Sequence, residues 1–140
     1  MSKILKKIEM APRHFVKKGW GSAKDAAGAS VGEVFVYHAP IEKDPFRVET
    51  VKLLHIEKDK KLSLHFHVSK KEIFYIISGC IEIELIHDGA TETVMATPGY
   101  CCIIEPGMVH SMKGIDANNV LIEVSTLDRA EDSYRIRKGD

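Results

Sequence analysis

A chain of 140 residues, 44% of them hydrophobic, can bury one core but not two, so a single domain is expected. Twenty Lys+Arg balance twenty Asp+Glu, and this neutrality gives no pull toward nucleic acid or an anionic membrane, so neither is an expected partner. No run reaches the ~18 apolar residues of a membrane span, and the first residues lack the apolar stretch and cleavage site of a secretory signal, so the sequence reads as cytoplasmic.

Residues 1–32 read as an N-terminal arm. Up to residue 24, Lys3, Lys6, Lys7, Arg13, Lys17, Lys18 and Lys24 face only Glu9 among acids, the pattern of a solvated segment. Ile4, Leu5 and Ile8 share one face of a possible short amphipathic helix. The small-residue stretch Gly19–Gly32 reads mostly as loop.

From residue 33 to 126 the sequence is a series of short β-branched and aromatic runs separated by turn residues. The predicted strands are Glu33–His38, Val48–Glu57, Leu62–His67, Ile73–Ile77, Cys80–Ile86, Glu92–Ala96, Tyr100–Ile104, His110–Lys113 and Val120–Ser125. Gly79, Thr97-Pro98-Gly99 and His87-Asp88-Gly89-Ala90 are turn signals, and Asp88-Gly89 is a favoured hairpin dipeptide. So regular a spacing predicts an all-β fold, a small barrel or double-sheet jelly roll. Ile81, Ile83 and Leu85 alternate with Glu82 and Glu84, which places the glutamates toward solvent. Ile73–Ile77 is apolar throughout and is expected to be covered on both sides, at the centre of the core. Cys80, Cys101 and Cys102 are odd in number and read as reduced thiols. Residues 127–140 form a charged tail, expected to contain a turn of helix and to pack on the barrel.

The chemistry concentrates in His65 and His67, followed by Glu72 and Gly79, with His110 much later. Residues i and i+2 of a strand point to one face, so two imidazoles can converge on one metal ion. Written out, His65-Phe66-His67-Val68-Ser69-Lys70-Lys71-Glu72 runs on to Gly79, and Gly99 and Gly107 precede His110. This resembles the paired motif of the cupin superfamily. The resemblance implies a cupin-type double-stranded β-helix in which His65, His67, Glu72 and His110 hold a metal inside the barrel. Asp59 stands where the first motif often begins with glycine, Glu105 where the second often has proline, and Gly114 where asparagine is frequent; none of these departures removes a ligand. Three imidazoles and a carboxylate suit a divalent transition metal, Zn, Mn, Fe or Ni, better than Mg or Ca. His14, His38, His55 and His87 fall outside the pattern and read as ordinary histidines.

A narrower resemblance is to the cupin domain of bifunctional-type phosphomannose isomerases. It is carried by Lys18-Gly19-Trp20-Gly21-Ser22, with Gly19 in place of proline, by Lys61-Leu62-Ser63-Leu64, and by Glu131-Asp132-Ser133-Tyr134-Arg135-Ile136. It implies a sugar or sugar-phosphate substrate in carbohydrate metabolism, and short cupins of this kind often form homodimers. Aldose–ketose interconversion needs an electrophile for the carbonyl oxygen and a nearby acid/base. Lys70 is the catalytic candidate, set against the alternative that Lys70 and Lys71 are solvated turn lysines. Arg135 or Lys52 would hold a phosphate, and Trp20 would either stack on a sugar or pack the arm onto the barrel. A metal-dependent dioxygenase and a non-catalytic sugar-binding or regulatory cupin use the same ligand set. Nucleotide-sugar epimerases share the barrel without a metal.

Overall fold

Buried and more exposed residues alternate along 50–57, 72–77, 101–104 and 118–125, and that period of two builds two antiparallel layers. The computed structural model describes residues 14–16, 18–20, 23–24, 30–31, 33–38, 48–126 and 128–140, with side chains for 18–20, 48–126 and 128–140. The expected helix around Ile4, Leu5 and Ile8 lies outside the described residues. The strands are β1 (His14–Val16), β2 (Ala23–Lys24), β3 (Ser30–Val31), β4 (Glu33–His38), β5 (Thr50–Glu57), β6 (Leu64–Phe66), β7 (Glu72–Ser78), β8 (Ile81–His87), β9 (Ala90–Ala96), β10 (Cys101–Ile104), β11 (Val109–Gly114), β12 (Asn118–Ser125) and β13 (Tyr134–Arg137). One sheet runs β1-β4-β5-β12-β7-β10, the facing sheet β13-β6-β11-β8-β9, and β2 pairs with β3. This is a jelly roll, as the strand spacing predicts.

Leu54, Ile56, Phe74, Ile76, Ile81, Ile83, Ile104, Met112 and Leu121 fill the space between the sheets. Asp88 and Gly89 connect β8 to β9 with φ of 50° and 76°, the backbone that an Asp-Gly hairpin turn supplies. Asp59, at the position where the related motif favours glycine, also has a positive φ of 64°, which aspartate tolerates better than most side chains. At Gly114 a Cβ would collide with the Glu57 carbonyl oxygen and the Asn119 side chain, so the close approach of the chain there requires glycine.

One expectation is corrected and one is extended. Strand β7 is covered on one side only: Phe74 and Ile76 are buried, whereas Ile73, Tyr75 and Ile77 are 37%, 46% and 42% exposed. An unbroken apolar run reads as a doubly covered strand, but the outer face of this sheet is itself apolar. In the tail, a 3-10 turn at Ala130–Asp132 is followed by a strand, β13, which extends the second sheet by pairing with β6. Glu82 and Glu84 are half-exposed, and Glu84 accepts from Arg137 Nη2 at 2.8 Å. Cys80, Cys101 and Cys102 are free thiols.

Candidate metal centre

Strand pairing brings the histidines together. His110 on β11 lies directly across from His65 on β6, with ring centroids 4.5 Å apart. His67, just past the end of β6, has its ring 4.9 Å from that of His65. One ligand atom from each of the three lies within 4.8 Å of the others. Glu72 enters from the opposite sheet as the first residue of β7, where it pairs with Ser125 of β12 and Ile104 of β10. The site therefore spans both layers.

Hydrogen bonding fixes the tautomer of each imidazole. Nδ1 of His65 lies 2.8 Å from the Ser63 carbonyl, that of His67 2.6 Å from the Asp132 carbonyl, and that of His110 3.0 Å from the Met108 carbonyl. A carbonyl oxygen can only accept, so each Nδ1 carries the hydrogen and each neutral ring leaves a lone pair on Nε2. His67 Nε2 and Glu72 Oε2 are buried without a hydrogen-bond partner. Glu72 Oε2 nevertheless stands 3.1 Å from His110 Nε2, and Glu72 Oε1 stands 3.5 Å from His67 Nε2. Lone pairs facing each other at such distances need a proton or a cation between them. The donor set, the fixed tautomers and the orphaned buried atoms fit a divalent metal ion.

Electrostatics point the same way. Burial, followed by the neighbouring His110, lowers the His65 pKa to about 4, so that ring is neutral near pH 7. Burial also lowers the His67 pKa, but contacts with Glu72 and Asp132 more than reverse it, and the net shift is upward. Burial raises the pKa of Glu72, yet His110, His67 and Lys70 together hold the carboxylate well below its ordinary range.

Lys70 is 3% exposed, which overturns its reading as a solvated turn lysine. Its Nζ lies 3.0 Å from Glu72 Oε1, 2.9 Å from Glu123 Oε2 and 2.9 Å from Asp128 Oδ1. Burial lowers the Lys70 pKa, but the Glu123, Glu72 and Asp128 carboxylates outweigh it and keep the ammonium above the ordinary lysine value. Lys71 by contrast is exposed and lies 3.4 Å from Glu105. Lys52 is also buried, with Nζ 2.7 Å from Asp128 and 3.9 Å from Glu123, opposite which it sits in the β5–β12 register. Burial raises the Glu123 pKa, while Lys70 and Lys52 bring that of Asp128 down to about 2 against the opposing effect of its own burial.

These groups line a cavity of about 440 Å³. Trp20, 8% exposed, packs into the core and also lines the cavity wall, and its carbonyl accepts from Glu57 N at 2.8 Å. Arg135 is exposed at the mouth, paired through its backbone with His65. His55 and His87 lie away from the cluster: His55 is half-buried on the outer face of β5, and His87 sits beside the hairpin turn, 3.4 Å from Asp88. His14 and His38 fall on described strands, but their side chains lie outside the described residues.

Sequence reasoning missed Glu123, Asp128 and Asp132, together with Arg129 and Lys138 at the mouth. For Glu123 a signal was present, a lone acid within the apolar run Val120–Val124. The others lie in a charged tail whose position relative to the site no local pattern reports.

Family models and curated proteins give no match to this sequence. Solved structures do. The capsular polysaccharide assembling protein CapF from Staphylococcus aureus superposes with a TM-score of 0.70 at 16% identity, over 91% of this chain and 32% of CapF. A mutant of Bacillus subtilis oxalate decarboxylase OxdC gives 0.69 at 13% identity, over 89% of this chain and 30% of OxdC. KdgF from Halomonas sp. gives 0.55 at 17% identity, over 71% of this chain and 83% of KdgF. This chain thus spans about a third of CapF and of OxdC. The likeness is one of fold: the two antiparallel layers of this chain form the same kind of jelly roll. Three of its histidines are arranged so that they could hold a metal ion.

Proposed function

We propose that this chain is a metal-binding cupin that acts on a sugar or sugar phosphate as an aldose–ketose isomerase. The observation that carries the reading is the convergence of three imidazole lone pairs and the Glu72 carboxylate at the base of a cavity with cations at its mouth. His65, His67, Glu72 and His110 would hold one divalent ion, Zn, Mn, Fe or Ni, which when bound supplies a Lewis acid for a carbonyl oxygen. The cavity volume of about 440 Å³ suits a small phosphorylated sugar. Arg129, Arg135 and Lys138 line the mouth, and none of them has a carboxylate partner among the described residues. They offer a phosphate its charge partners, Arg135 foremost.

Lys52 and Lys70 lie deeper, already committed to carboxylates. An ammonium surrounded in this way gives up its proton reluctantly. Lys70 in this reading fixes Glu72 and supplies positive charge beside the substrate's oxygens, and the proton shuttle falls to Glu123, a cavity-lining carboxyl whose pKa burial raises. Trp20 and Leu54 form an apolar wall on which a sugar face can rest. The shared fold with CapF, a capsular polysaccharide assembling protein, supports a saccharide context. A homodimer is part of the proposal, supported by the exposed apolar row Ile73, Tyr75, Ile77 and Ile103 on the outer sheet face. We place it in the cytoplasm; among the described residues no helix is long and apolar enough to cross a membrane.

The test is an assay of the metal-loaded protein on a panel of aldose and ketose phosphates, with and without oxygen. Interconversion that survives anaerobically supports the isomerase. Turnover that stops without oxygen points to a dioxygenase. Binding without interconversion across the panel points to a non-catalytic sugar-binding cupin.

A further inference from the structure

Asp132, the last residue of the 3-10 turn, touches the metal centre through the loop between His67 and Glu72. Its carboxylate sits among three consecutive main-chain N–H groups. Val68 N donates to Oδ1 at 2.8 Å, Ser69 N lies 3.2 and 3.1 Å from Oδ1 and Oδ2, and Lys70 N donates to Oδ2 at 3.0 Å. Successive N–H groups of this kind form an anion-binding concavity, and hydrogen bonds to an ionised acceptor are the stronger class. The Asp132 main-chain carbonyl meanwhile accepts from His67 Nδ1 at 2.6 Å. One residue thus fixes the loop through its side chain and the His67 tautomer through its backbone.

The rest of the tail is fastened around the same opening. The Asp140 carboxylate accepts from Lys61 N at 2.7 Å, Asp140 N donates to the Lys61 carbonyl at 2.9 Å, and Tyr134 stacks on Phe66 with centroids 5.2 Å apart. Arg137 reaches away from the histidines to Glu84 on β8.

We propose that Asp132 is a positioning residue of the metal centre, whose grip on residues 67–70 makes docking of the tail and capture of the metal one linked equilibrium. The proposal rests on the metal-binding reading of the three histidines. Linkage is reciprocal: whatever factor the docked tail adds to metal affinity, bound metal returns to tail docking.

The experiment uses the full chain with Asp132→Ala, Asp132→Asn and Arg137→Ala. Zinc affinity is measured by competition with a chelating dye, the ligand field by the Co(II) absorption spectrum, and tail docking by the rate of tryptic cleavage at Arg129, Arg135, Arg137 and Lys138 with and without zinc. Asp132→Ala should bind zinc roughly 10- to 100-fold more weakly, as losses of partners behind a ligand generally do. Its Co(II) spectrum should shift, while circular dichroism keeps the native β signature. Asp132→Asn, which retains one acceptor oxygen, should fall between Asp132→Ala and wild type. Zinc should slow tail cleavage in wild type and lose that effect in Asp132→Ala. Arg137→Ala removes only a solvent-accessible ion pair, too weak to undock the tail, and should keep zinc affinity within about twofold of wild type. A folded Asp132→Ala that binds zinc as wild type does overturns the proposal and leaves the metal site standing. Equal losses in Asp132→Ala and Arg137→Ala would reduce the effect to general loosening of the tail and overturn it too. Wild-type protein that captures none of Zn, Mn, Fe or Ni sinks the metal reading, and this proposal with it.

Discussion

Replacing Lys70 with Met removes the central cation of a buried cluster and should expose how that cluster is balanced. Lys52 and Lys70 carry two positive charges among the three negative charges of Glu72, Glu123 and Asp128, with the contacts to Lys70 all between 2.9 and 3.0 Å. The substitution raises the net charge of the cluster from −1 to −2 at a position 3% exposed. Removing one partner of a buried pair costs about 3–5 kcal/mol, because the remaining charge is left without compensation. For a chain of this size that corresponds to a fall of roughly 10–17 °C in Tm. The pH dependence carries the sharper test. Burial already raises the Glu123 pKa, and without Lys70 it should rise further. A carboxyl whose folded pKa exceeds its unfolded value stabilises the fold below the unfolded pKa, and that contribution is lost as pH rises through the folded one. The deficit of Lys70→Met should therefore be largest near pH 8 and shrink toward pH 5, and Lys70→Met/Glu123→Gln should recover part of it. Urea titrations of the chelator-treated proteins at both pH values measure this. A deficit under about 1 kcal/mol at pH 8, or one that does not change with pH, would refute the ion-cluster account.

Other consequences follow from the same geometry. His65→Ala, His67→Ala, Glu72→Ala and His110→Ala should each sharply lower zinc occupancy in elemental analysis; wild-type occupancy in all four would dismiss the site. Because the metal-free centre holds His67 above its ordinary pKa, metal must displace a proton there, and zinc affinity should fall by about tenfold per pH unit once the pH drops below that raised value. An affinity that stays flat from about pH 7 to pH 5 would contradict this. Asp128, held at about 2 against an ordinary 3.8, contributes about 2 kcal/mol that is present above the ordinary value and lost as pH falls through the folded one. Asp128→Asn should lose that amount at neutral pH and nothing in strong acid, as read by denaturant midpoints. Gly114→Ala should destabilise by about 3 kcal/mol through collision with the Glu57 carbonyl, and an unchanged urea midpoint would show that the chain can move aside.

The strand series was legible because period-two patterning survives wherever one face is wet. The Asp88-Gly89 hairpin and the runs Glu33–His38 and Val120–Ser125 appear within a residue or two of their predicted limits. The histidines were legible because His65 and His67 are bound by local geometry and His110 by its motif. Strand β13 was not. All four of its residues are exposed, so Tyr134-Arg135-Ile136-Arg137 carries no burial signal, and only the unpaired edge of β6 gives it a ladder to join.

The interior of the six-stranded sheet shows most clearly what a single strand's sequence conceals. On β5 and β12 the apolar residues Val51, Leu53, Val120, Ile122 and Val124 point outward, while Thr50, Lys52, Glu123 and Ser125 are buried, with Lys52 and Glu123 lining the cavity. Hydrophobic patterning read alone would put the first set in the core. A buried Lys52 or Glu123 is tolerable only when opposite charges arrive from elsewhere, and here they arrive from Lys70 in the loop before β7 and Asp128 at the start of the tail. Neither strand announces those partners. Reading polar residues in apolar strands as candidates for a shared, charge-balanced interior would have joined Lys52 to Glu123 through the pairing of β5 with β12. It would also have pointed to Lys70 as their counterpart, since Glu72 must stand beside the same cavity to reach His110.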